Sequence, residues 1–86
     1  MYYTYIIESE QTGKFYIGQT NNLEGRLNKH NLGKVFSTKG RGPWKLIYSK
    51  GFNSRSEAMS HEKELKGIKN KEYLKRIIRH EKLPTA

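Results

Sequence analysis

Apolar and polar positions alternate from the first residues. In "YYTYII" (2–7), Tyr3, Tyr5 and Ile7 fall on one face of an extended chain and Tyr2, Thr4 and Ile6 on the other. This predicts a strand over 2–8. "SEQTGK" follows as a polar loop with Gly13 near its end. Phe15 and Ile17 then alternate with Tyr16 and Gly18, predicting a second strand over 14–20 and an antiparallel hairpin. The period next becomes helical. "TNN" offers N-cap candidates, Leu23 and Leu27 stand four apart, and Gly33 is a stop signal, so a helix is expected over 22–32. "GKVFSTKGRGP" is a loop rich in glycine and base. "WKLIYS" reads as a third strand with Trp44, Leu46 and Tyr48 on one face. Ser54 and Glu57 form a capping box that opens a second helix, ending near Gly67. Asn70 can cap a third, whose apolar stripe is Leu74, Ile77 and Ile78. The predicted order is ββαβαα, an α+β class. No repeat, linker or second domain interrupts it, so residues 1–86 are read as one domain.

Composition narrows the class of partner. With 86 residues, 34% apolar and 12% aromatic, the chain supports a small core and is too rich in large side chains for disorder. Seventeen Lys and Arg against eight acids give a net charge of +9. So dense a charge favours a polyanion, nucleic acid ahead of an anionic membrane, over a merely solvated basic surface. The absence of cysteine excludes disulfides and Cys-ligated zinc and fits a reducing compartment. No apolar run has membrane-span length, and the start has no basic n-region of a signal peptide, so a cytoplasmic location is expected. All eight acids are glutamates. Two-metal sites draw on clusters of carboxylates, often aspartates, so one carboxylate with one ion is the more natural arrangement here.

Helical geometry then sorts the polar residues. At about 100° per residue, His30 lies close to the Leu23–Leu27 stripe and Arg26 beside it, both toward the sheet, whereas Lys29 falls on the solvated side. In the second helix Glu62 sits at the edge of the stripe formed by Ala58 and Leu65. A half-buried carboxylate needs a cation or donors. A salt bridge to Arg26 or a lysine satisfies it, and so does a metal or catalytic role. The tyrosines admit core and cleft readings alike. Gly18 favours the cleft, because glycine within a strand marks close approach. His61 and His80 read as surface or rim residues.

In this order and spacing the motifs resemble the GIY-YIG nuclease superfamily. "YTY" (3–5) and "YIG" (16–18) resemble its paired motif, "NLEGRLNKH" its Arg-and-His helix, "STKGRGPWKLIY" the approach to its third strand, and "SEAMSHEKELK" its glutamate helix. The likeness spans roughly residues 2–79 and is closest to small stand-alone members named after the excision nuclease C subunit, whose N-terminal nuclease domain they resemble. The chain departs from the family name at Tyr3 and Thr4, which stand where Gly and Ile are expected. The resemblance implies a three-stranded antiparallel sheet flanked by helices. It also implies phosphodiester hydrolysis with one Mg²⁺ or Mn²⁺ held by Glu62. Arg26 then stabilises the transition state, and Tyr5 or Tyr16 is the general base, aided by His30. A family asparagine maps to Asn70, which serves equally as a helix cap.

Three functional classes follow. In an endonuclease, the "STKGRG" loop with Lys39 and Arg41 would contact DNA phosphates, together with Lys63, Lys66, Lys69, Asn70 and the bases Lys71, Lys75, Arg76 and Arg79. A binding module that no longer cleaves would keep those contacts alone. An interaction protein would present its basic surface to an acidic partner. A protein partner or a dimer could direct any of these to its target.

Overall fold

The computed structural model describes residues 1–82. Its sheet runs in the order β2-β1-β3, with β1 at Tyr2–Ser9, β2 at Phe15–Thr20 and β3 at Trp44–Phe52. Both pairings are antiparallel. The helices are α1 (Leu23–Asn31), α2 (Arg55–Lys66) and α3 (Lys71–Lys82), and a short 3₁₀ turn spans Phe36–Thr38. The order is therefore ββαβαα, as the sequence predicts. Among the described residues, no helix is long and apolar enough to cross a membrane.

β1 lies between two partners and is covered on both faces. Hence Thr4, Tyr5, Ile6 and Ile7 are all buried, and the alternation along it separates two cores instead of core from solvent. On one face Ile6 and Tyr48 pack with Leu65 of α2 and with Leu74 and Ile78 of α3. On the other, Tyr5, Ile7 and Trp44 pack with Tyr16 of β2 and with Leu23 and Leu27 of α1. α1 thus covers one side of the sheet and the α2–α3 pair the other.

One expectation fails at β3. Trp44, Leu46 and Tyr48 do not share a face. The register against β1 shifts between Ile6 and Ile7, so Ile6 faces Tyr48 while Ile7 faces Leu46. The extra residue, Ile47, is a β-bulge that sends Tyr48 to the α2 side and leaves Trp44 on the α1 side. β3 also runs three residues beyond "WKLIYS".

The joints follow local chemistry. Asn22, Ser54 and Asn70 cap the three helices through backbone N–H groups of Gly25, Glu57 and Glu72. Gly33 adopts a left-handed φ of 75° just past α1, the conformation a helix stop demands. The Asn31 side chain clamps Trp44 twice, accepting from its N–H at 2.6 Å and donating to its carbonyl at 3.1 Å. This bond pair fastens the end of α1 to the start of β3.

Candidate active site

β1 and β2 set Tyr5 opposite Gly18 and Ile7 opposite Tyr16. Both tyrosines therefore project toward α1 from adjacent strands, with ring centroids 6.5 Å apart. α1 brings Arg26 and His30 to the same place, one turn apart. His30 is only 2% exposed. Its Nε2 lies 2.9 Å from the Tyr5 hydroxyl and its Nδ1 2.7 Å from the Thr38 hydroxyl. Its ring stands edge-on to Tyr16, with centroids 5.0 Å apart. Arg26 Nε donates to the Tyr5 oxygen across a long 3.5 Å.

The proton directions follow from the network. Thr38 donates to the Val35 carbonyl at 3.4 Å and accepts from His30 Nδ1–H. Nε2 is then the acceptor, and Tyr5, which receives Arg26 on its oxygen, gives its proton to it. The electrostatics agree. Burial, and secondarily the Arg26 charge, hold His30 down at about 4, so it is neutral at physiological pH. Burial outweighs Arg26 at Tyr5 and raises its pKa, with Tyr16 and the more distant Glu62 adding to the rise. The bond to Tyr5 in turn raises the pKa of Arg26, which stays charged.

Gly18 now has a physical reason. A Cβ there would sit 2.5 Å from the Tyr5 hydroxyl oxygen and 2.7 Å from its Cζ. Only glycine lets the ring lie flat across the neighbouring strand and still reach His30.

Glu62 comes from the other layer. Its side chain is 21% exposed, and its Oε2 pairs with Lys66, one turn on, at 2.7 Å. Of the two salt bridges open to it, the lysine pair forms. Glu62 makes no hydrogen bond to Tyr5, Arg26 or His30 among the described residues, and only its charge is felt at Tyr5. Lys63 and Lys69 are exposed at the end of α2 and just past it. Lys39 and Arg41 are exposed beside the 3₁₀ turn, and the Arg41 guanidinium donates to the Ser37 carbonyl. Asn70 Oδ1 is spent on the α3 cap, accepting from the N–H groups of Glu72 and Tyr73.

Sequence reasoning missed three residues. Thr38, buried under the turn, orients His30. Trp44 Nε1 holds Thr38 in place through its carbonyl at 3.2 Å. Gln19 carries a buried Oε1 with no hydrogen-bond partner on the α2 side of the sheet. Thr38 lies in an aperiodic loop and has no signal in the pattern. Gln19 had one: it is a polar residue in phase with Phe15 and Ile17.

The GIY-YIG catalytic domain model matches residues 1–77, and the chain belongs to that family. Among its relatives are UPF0213 proteins. The one from Oceanobacillus iheyensis is 43% identical over 77 residues, which is 88% of each chain. The one from Staphylococcus haemolyticus is 40% identical, over 88% of this chain and 93% of its own. The solution NMR structure of the UPF0213 protein of Bacillus halodurans superposes with a TM-score of 0.60 at 34% identity. That match covers 98% of this chain and 89% of the other.

Proposed function

We propose that the protein is a divalent-metal-dependent endonuclease that hydrolyses phosphodiester bonds in DNA. The observation that carries this reading is the buried line from Thr38 through His30 to Tyr5, closed by Arg26. A core needs no such line. It fixes a guanidinium beside a second tyrosine, Tyr16, that stays partly exposed. Arg26 offers donors to a phosphate and offsets the negative charge that grows on it as water attacks. Tyr16 is the partly exposed member of the pair, and we assign it the proton transfer. Tyr5 is buried, protonated and committed to His30, so its task is to position Arg26.

The donor set fits a magnesium or manganese ion. Glu62, the half-buried carboxylate of α2, would hold it, exchanging its exposed Lys66 partner for the ion. Such ions take one or two protein oxygens and complete their shell with phosphate and water. When bound, the ion supplies polarisation of a phosphate oxygen and stabilisation of the leaving oxygen.

The Glu62–Lys66 pair also supports a second reading, a DNA-binding module without turnover, because it satisfies the carboxylate with no metal. Plasmid nicking separates the two. The nuclease reading expects supercoiled DNA to become nicked circles with Mg²⁺ or Mn²⁺ and to survive in a chelator. Intact supercoiled, linear and branched DNA alongside salt-sensitive binding would favour the binding module.

A further inference from the structure

Phe36 is 95% exposed, although it opens a turn whose other contacts are tight. Val35 before it and Thr38 after it are both buried. Thr38 is bonded to His30 on one side and held through its carbonyl by Trp44 on the other. The Thr38 N–H returns to the Val35 carbonyl at 3.1 Å, and the Lys34 N–H to Lys29 at 2.9 Å. A slack loop would fold a phenyl ring onto the nearest apolar surface. Here the anchored turn holds it in water. Leu32, four residues upstream, is 69% exposed as well. Around this apolar tip stand three exposed cations, Lys34, Lys39 and Arg41. Arg41 is drawn onto the turn by the Ser37 carbonyl, and the Lys39 stem approaches Gly33.

We propose that Phe36 is a base-stacking residue, which receives an unpaired nucleobase while Lys34, Lys39 and Arg41 hold the phosphates beside it. This rests on the nucleic-acid reading above and narrows its substrate class. An aromatic face ringed by cations matches the alternation of base and phosphate along an unpaired strand, and an apolar protein surface would leave those charges without partners. Because the turn is bonded directly to His30, the stacked base lies next to the candidate active site. The preferred substrate is then DNA with an extruded or unpaired base near the bond to be cut, in preference to perfect duplex.

The test is binding in a chelator, so that nothing is cleaved. Fluorescence anisotropy compares a labelled duplex containing a short central bubble with a fully paired duplex of equal length. The parent protein is expected to bind the bubble about tenfold more tightly, as one base–aromatic stack allows. Phe36→Ala should lose that preference and keep the duplex affinity, and Phe36→Trp should retain both. Circular dichroism checks that the variants fold. Phe36→Ala with the preference intact, or a parent that binds both DNAs equally, overturns the inference and leaves the nuclease reading standing. A parent that binds neither DNA overturns both.

Discussion

At residue scale the site depends on which groups are kept neutral. His30 is buried uncharged, and its pKa falls from 6.5 to about 4. The sign of the linkage is fixed by that direction. Above pH 6.5 neither the folded nor the unfolded chain binds a proton there. Between 6.5 and 4 only the unfolded chain does, so stability is lost as the pH is lowered, by about 1.4 kcal/mol per unit and about 3 kcal/mol in all. Urea unfolding across this window should show the decline in the parent and a flatter profile in His30→Gln. Equal profiles would mean that His30 is not held neutral. The roles proposed for the two tyrosines rest on the same grounds. Tyr16→Phe should slow nicking by about 100-fold or more, the low end for loss of general base catalysis. Tyr5→Phe should cost less in rate and more in folding stability, because it leaves the buried Nε2 of His30 unpaired. The reverse ranking in single-turnover nicking would transfer the base role to Tyr5.

At the scale of elements, what could be read from the chain was what repeats. Period two, period 3.6 and the capping signals together found the three strands and the three α-helices, though not the 3₁₀ turn at Phe36–Thr38. The same helical angle placed Arg26 and His30 toward the sheet and Glu62 at a half-buried edge. What could not be read was set by interruptions of period. One inserted residue at Ile47 moves Tyr48 to the opposite face from Trp44, and nothing in "WKLIYS" marks the bulge. Thr38 escaped because its partner, His30, is eight residues away across a loop with no period of its own. Asn31 escaped because a polar residue at a helix end looks solvated, yet it joins α1 to β3. Removing it should be felt. Asn31→Ala is expected to cost about 1–2 kcal/mol, since the Trp44 N–H loses a 2.6 Å bond at the start of β3. Asn28→Ala, exposed on the same helix, should stay within about 0.5 kcal/mol. Equal melting shifts for the two variants would show that the clamp contributes nothing.

At the scale of the whole molecule, a net charge of +9 on 86 residues surrounds a site whose inner residues are mostly neutral. On the proposed function, the outer charge finds the polyanion and the inner set acts on it. Duplex DNA affinity should therefore fall at least about tenfold between about 50 and about 200 mM salt, as several phosphate contacts require. A flat salt response would remove the electrostatic half of the account. The proposed chemistry depends on Glu62, the half-buried carboxylate of α2, whose charge is felt at Tyr5. Nicking of supercoiled plasmid by the parent and by Glu62→Ala, side by side in Mg²⁺ or Mn²⁺, tests it most directly. Nicked circles are expected from the parent and none from Glu62→Ala, with DNA binding retained by both. Equal nicking by the two proteins would contradict it.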